Sequence, residues 1–577
     1  MKRLMVVLLL AACAGGKTQT KEQGAGPSQQ TPAGATQQAA VPPSSSAQPG
    51  AAGQSGSAGQ SGTAAQSGAV AQSGTTAPSG TAAAQSGALK SPETGTSGAA
   101  QVAPPAQPEP PPTPDEPFRA QRPPALAVQP HFEAPVAVQK KLKNGARVLV
   151  VENHAVPLVA IDVRFLHGVD ADPADRAGLA EFVSDTVDEG TRTRSATRLA
   201  EEIEDLAAHL GAGASLESTT VHLNCLSETL PQALDLLADV VQNPAFREED
   251  VERVRVLKLT ALAQKRASIG ALAGDEVARI LFGEQHPWGK PSGGTPESVA
   301  AITPEELQKF HATWWVPNDA VISVSGDVKT AEIVRLLDEK FAQWKARPLP
   351  ALKLPPMPKL SRRNIVALEK PNATQSQVWV VGRLFKASDP DALPLRVANM
   401  TLGGLFTSRL MTNLRETHGY SYGVYSRLSL LRASGTFIAS GGIIAKNTVE
   451  AVSEYEKELT KFATGAVSET ELSSAKEALI RSLPSALETN DAVSGAMANL
   501  VSLGLPLDYY RTLPARIARV GQRDVKRVVS RWMKPLQWPV VIVGPVGQSK
   551  GDLEKLGLGP VSVAPAPGVA PPQSGSK

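Results

Sequence analysis

From residue 136 onward the apolar positions switch repeatedly between a two-residue and a three-to-four-residue period. Residues 147–152 and 158–167 read as strands, with the Lys143-Asn144-Gly145-Ala146 turn ahead of the first. Residues 177–189 repeat as a helix, with Leu179, Phe182, Val183 and Thr186 on one face. A second helix is predicted over 197–210, ended by Gly211-Ala212-Gly213, followed by a strand over 215–226. Helices follow over 228–241, 248–267, 271–282 and 304–314, then a strand over 320–325 and a helix over 330–343. This order predicts an α+β domain spanning 131–345.

Residues 346–365 form a predicted linker, with five prolines between 346 and 360. A second unit, 366–561, then repeats the plan. Its predicted elements are a strand over 376–384, helices over 391–402 and 406–416, and strands over 422–431 and 435–442. Helices over 447–463, 468–482 and 485–502 and a closing strand over 540–543 complete it. The matching element order predicts an internal duplication.

Composition changes this picture at the ends. Residues 13–130 are dominated by Ala, Gly, Ser, Gln, Thr and Pro, and Gln-Ser-Gly recurs every six residues from Gln54 to Gln72. No apolar anchor accompanies the repeat, so the tract is expected to be a disordered tether with a reach of about 60 Å. The tail, 562–577, has the same character and is also expected to be disordered. Residues 1–12 read as a signal peptide, with Lys2 and Arg3 ahead of an apolar run too short to span a bilayer. Leu10-Ala11-Ala12-Cys13 resembles a bacterial lipobox, which makes Cys13 the expected lipidation site. Ala14 is not the aspartate that commonly retains lipoproteins at the inner membrane, so the expected location is the outer membrane of a bacterial cell envelope, facing the periplasm. The second cysteine, Cys225, falls in a predicted strand and reads as a buried apolar filler. A net charge of +3 from 58 basic and 55 acidic residues gives no basic face for nucleic acid.

Several segments, in this order and spacing, resemble the pitrilysin/insulinase-like (M16) zinc peptidases, in their two-domain, mitochondrial-processing-peptidase-like bacterial branch. They are 178–191, His286-Pro287-Trp288-Gly289, Phe310 with 314–318, Gly326-Asp327, 403–410 and 414–422. The resemblance implies two homologous α+β domains of that fold, each a mostly antiparallel sheet packed against helices. Active members carry His-x-x-Glu-His on a helix, two imidazoles for zinc and a carboxylate base. The matching positions here are Glu181, Ser184 and Asp185. The family's third ligand is a glutamate roughly 75 residues further on, and this chain has no acidic residue between Glu252 and Asp275. None of the eight histidines is paired at a spacing of four. The resemblance therefore implies a non-catalytic member that binds no metal. Glu181, Asp185 and Asp188 share one helix face and read as a solvated or interface surface, with a calcium or manganese site as the alternative.

The second unit retains Arg415 and Tyr422, to which the resemblance assigns substrate contact opposite the zinc. A guanidinium offers fixed donors to a carbonyl or carboxylate, and a phenol can meet developing oxyanion charge. The glycines at 283, 289, 293 and 294 mark a loop and resemble a flexible stretch near the cleft of non-catalytic members. The expected function is a substrate-binding subunit, paired with a zinc-bearing paralogue and holding peptide on a sheet edge. The alternative is a non-enzymatic envelope lipoprotein that binds peptides or proteins as a scaffold.

Overall fold

A computed structural model describes residues 132–568. The signal peptide, Cys13, the tether and residues 569–577 lie outside the described residues. The first sheet consists of β1 (Val138–Lys141), β2 (Arg147–Glu152), β3 (Leu158–Phe165), β4 (His209–Ala214), β5 (Thr219–Leu226) and β6 (Ala320–Gly326). Their spatial order is β1-β2-β6-β3-β5-β4. Only β2 and β6 run parallel; every other neighbouring pair is antiparallel. The second sheet consists of β7 (Ile365–Glu369), β8 (Gln375–Leu384), β9 (Ser421–Leu430), β10 (Gly435–Ile444), β11 (Val540–Gly544) and β12 (Val561–Pro565), ordered β12-β7-β11-β8-β10-β9. Set β1 and β12 aside and the two orders superpose strand for strand, so the duplication is present in the topology.

Alternation along the strands divides each sheet into an apolar and a mixed face. On β5 the side chains of Thr219, Val221, Leu223 and Cys225 are buried while their neighbours are half-exposed. Together with Ile161, Val163 and Phe165 of β3, the apolar members join a core with the helices Leu179–Thr186 and Leu230–Gln242. β6 is buried along its whole length, which requires cover on both faces.

That second cover comes from the other half of the chain. The helix Asn490–Ser502 crosses over and packs on β3 and β6. Asn490 donates to the Leu158 carbonyl at 3.0 Å and accepts from Asn153 at 2.8 Å, and Ser494 donates to the Ser323 carbonyl at 3.0 Å. Reciprocally, the helix Ile269–Phe282 leaves the first half and packs on β8 and β11. Its Leu272, Val277, Leu281 and Phe282 share an apolar cluster with Val381, Val541 and Val543. Each sheet is thus completed by a helix from the opposite unit.

Four local expectations are corrected. The helix predicted over 197–210 runs only Ala196–Asp205; Ala207 takes a positive φ of 48° and the chain then forms β4. Gly211 and Gly213 have little intrinsic strand preference, and pairing with β5 holds them extended. The helix predicted over 406–416 is a short helical turn, Arg409–Met411, continued as a π-helix over Thr412–Thr417. The helix predicted over 485–502 breaks into Leu483–Ala486 and Asn490–Ser502. The beginning of the predicted disordered tail is instead β12, paired in parallel with β7.

Candidate functional site

The helix Leu179–Thr186 starts at Gly178, whose φ of 88° suits glycine. A Cβ there would lie 2.6 Å from the Gly294 backbone nitrogen, so the glycine loop packs against the start of this helix. Asp172 accepts from the backbone N–H groups of Gly178 and Ala180 at 2.9 and 2.8 Å, meeting donors that have no partner within the helix. Burial pushes the Asp172 carboxyl up to about 8, against the pull of those two donors.

Glu181 and Asp185 both point at one lysine. The Lys258 ammonium lies 2.9 Å from Glu181 Oε1 and 2.7 Å from Asp185 Oδ2. Lys258 comes from the helix Glu248–Lys265 and is only 7% exposed. Burial works against its charge, yet Asp185 and Glu181 outweigh that and hold its pKa above the ordinary lysine value. Ser184 is buried and donates to the Ala180 carbonyl on its own helix. Asp188 is half-buried, and burial pushes its pKa up to about 7. The face expected to be solvated or to form an interface is therefore paired within the chain through Glu181 and Asp185.

Arg415 and Tyr422 are brought together in the second half. Arg415 lies on the π-helical turn, and its guanidinium carbon sits 4.8 Å from the centre of the Tyr422 ring and 4.7 Å from that of Phe406. Its Nε pairs with Glu416 at 3.1 Å. Tyr422 is 85% exposed because β9 carries a bulge where it opposes β10: Val424 pairs with Gly441 and Ser421 with Ile443, leaving Tyr422 and Gly423 opposite Gly442 alone. Ser421 closes the bulge, donating to the Gly442 carbonyl at 2.7 Å and accepting from Gly423 N–H at 3.0 Å. Phe406, 55% exposed, is the site residue that sequence reasoning passed over. Its signal was a large aromatic between Gly403-Gly404 and Arg409, with no periodic pattern to place it in a core.

Both clusters lie beside a sheet edge. Leu179–Thr186 packs along β4, the last strand of the first sheet, and Thr412–Thr417 packs along β9, the last strand of the second.

Residues 147–277 match the family model for insulinase (peptidase family M16), and residues 301–479 match that for the peptidase M16 inactive domain. The chain belongs to the M16 family. This M16 chain is 28% identical over 414 residues to an uncharacterized zinc protease of Mycobacterium leprae, covering 71% of this chain and 92% of that one. It is 28% identical to a non-peptidase homolog of Helicobacter pylori, covering 66% of this chain and 88% of the homolog. A probable mitochondrial-processing peptidase subunit beta of Arabidopsis thaliana is 25% identical over 453 residues, covering 73% and 81% respectively. The fold is that of the peptidase M16 inactive domain from Pseudomonas fluorescens, with a TM-score of 0.67 at 24% identity over 71% of this chain and 98% of that one.

The residues at this M16 chain's motif do not fit zinc. Zinc needs thiolate, imidazole or carboxylate donors with lone pairs free to converge. Here the two carboxylates are turned to an ammonium, the serine is turned to its own backbone, and the helix that would supply a third ligand supplies Lys258. Among the described residues no group of three or more His, Cys, Asp or Glu is placed to hold a metal. An M16 fold with an inactive domain and no metal-binding cluster among those residues is the pattern of a non-catalytic member.

Proposed function

We propose that this chain is the substrate-binding subunit of a two-subunit zinc metallopeptidase, paired with a paralogue that carries the intact zinc motif. One observation carries the reading. Arg415 is held between two exposed aromatic rings beside a sheet edge, in a chain whose own metal motif is closed by a lysine. The stacked guanidinium is pre-oriented, so its remaining donors can meet a peptide carbonyl or carboxylate with little loss of side-chain freedom. The Tyr422 hydroxyl offers a second polar contact, and the edge strands β4 and β9 offer backbone groups to an extended peptide. The likeness to a processing-peptidase subunit supports a paired arrangement.

The test is to co-purify the chain with a zinc-motif paralogue and to assay peptide cleavage by each chain alone and by the mixture. Cleavage only by the mixture, depressed by Arg415→Ala and Tyr422→Phe with zinc content unchanged, is the expected result. Cleavage by this chain alone after metal stripping would overturn the reading. Binding of peptide without any gain of cleavage on mixing would favour the second reading, a peptide-binding scaffold, which the non-peptidase homolog supports. In both readings Cys13 carries the lipid that tethers the protein to the outer membrane of a bacterial envelope, on the periplasmic side. Loss of membrane association in a Cys13→Ala variant is the expected outcome; retention would remove the lipid anchor from the proposal.

A further inference from the structure

A buried lysine is rare unless it is paired, and the proposed peptide-binding role gives no reason for one at the abandoned metal motif. Lys258 reaches both acidic positions of the facing helix, Glu181 and Asp185, one helical turn apart. Its neighbours reinforce the same helix pair. Arg255 lies one turn earlier with its guanidinium carbon 5.3 Å from the Phe182 ring centre, and Arg253 bonds Glu189 through two nitrogens at 2.6 and 3.2 Å. The helix Glu248–Lys265 thus turns Arg255 and Lys258 toward the helix that would have shared zinc with it, and Arg253 toward the turn that follows that helix.

We propose that Lys258 is a built-in cation in the metal's place, joining the two helices through Glu181 and Asp185 so that this half of the fold neither needs nor accepts zinc. A metal site draws side chains of two helices onto one positive charge. Here the charge is covalently part of one helix, so it cannot dissociate, and both carboxylates are spent on it. Lys258 is buried while the Glu181 and Asp185 side chains are 32% and 39% exposed, so the cost of breaking the clasp falls on an ammonium left without its carboxylates, a buried charge that is strongly destabilising alone. This inference stands on the helix contacts and does not depend on the peptide-binding reading.

The test uses the full chain, with thermal unfolding and bound zinc as readouts. The wild type should contain less than a stoichiometric amount of zinc, and its melting temperature should move by less than about 1 °C with chelator or added zinc. The double variant Glu181→Gln, Asp185→Asn, which leaves the buried ammonium unpaired, should lower the melting temperature by roughly 5–10 °C. Adding Lys258→Met to that pair, which removes all three charges together, should recover at least half of that loss. Stoichiometric zinc in the wild type would overturn the proposal. So would a Glu181→Gln, Asp185→Asn protein as stable as the wild type, or a triple variant no better than the double one. If the double variant does not fold, a folded triple variant supports the clasp and an equally unfolded one overturns it.

Discussion

Neutralising Glu471 should loosen the base of the Arg415 turn by an amount that depends on pH in a definite direction. Arg409 opens the helical turn that continues into the Arg415 segment. Its Nε and Nη2 meet Glu471 Oε1 and Oε2 at 2.7 and 3.0 Å, and Nη2 also donates to the Ala466 carbonyl at 2.7 Å. Glu471 further accepts from Ser468 N–H at 2.8 Å in the capping box of its helix. The Arg409 guanidinium, with the Ser468 donors, lowers the Glu471 carboxyl from 4.5 to about 2. Fully realised, that depression is worth ~3.4 kcal/mol. The Arg409 and Glu471 side chains are 16% and 31% exposed, so solvent screening reduces the expected contribution to about 1–2 kcal/mol. A depressed carboxylate pKa contributes stability that is present above the unfolded value of 4.5 and is lost as pH falls through about 2. Urea unfolding of the wild type and Glu471→Gln should therefore differ by about 1–2 kcal/mol at pH 7, with the difference shrinking below pH 4.5. A difference that stays constant down to pH 2.5, or is absent at pH 7, would refute the argument.

Three further outcomes follow from the packing. Cys225 is 2% exposed and burial pushes its thiol up to about 12, so in a Cys13→Ser background a thiol reagent at pH 8 should label the chain only on unfolding. Asn490→Ala removes the donor to the Leu158 carbonyl and the acceptor for Asn153 between the two halves, and should cost about 1–3 kcal/mol by denaturant titration. A Cβ on Gly403 would lie 2.4 Å from the Ser426 backbone nitrogen, so Gly403→Ala must push β9 aside; a melting temperature within 1 °C of wild type would contradict the packing.

The elements that were legible in sequence are those whose patterns are local. Helix 304–314 was predicted to the residue, and its Thr303 capping box with Glu306 shows why. β4 was not legible, because His209-Leu210-Gly211-Ala212-Gly213-Ala214 is an edge strand made by its neighbour and not by its own residues. The π-helical course of 412–417 likewise has no period that a helix reading would separate from an α-helix. The exchange of helices 269–282 and 490–502 was hidden because element order says nothing about which sheet a helix covers. The motif positions were correctly located as a helix face, and their partner was missed. Yet Lys258 follows Val251, Val254 and Arg255 at helical spacing on the buried stripe of its helix. A lysine on such a stripe demands a carboxylate, and Glu181 and Asp185 were available.

The exchanged helices also bear on how two clusters in different halves can keep a fixed relation without a shared metal. On β3, Ile161 and Val163 face the core that contains Phe182 of the degenerate motif helix, while the intervening Asp162 turns to the opposite face. There it meets the exchanged helix: a Cβ on Gly495 would lie 3.8 Å from its carboxylate oxygen. The same helix carries Met497 and Leu500 into the core that holds Leu410 and Leu414, which precede Arg415 on the chain. β3 thus has the core of the motif helix on one face and, on the other, a helix rooted in the core that holds Leu410 and Leu414. The clasp ties the motif helix to the helix Glu248–Lys265, and the exchanged helix ties β3 to the second half. The relation between the two halves is therefore maintained by packing and hydrogen bonds that involve no metal ligand.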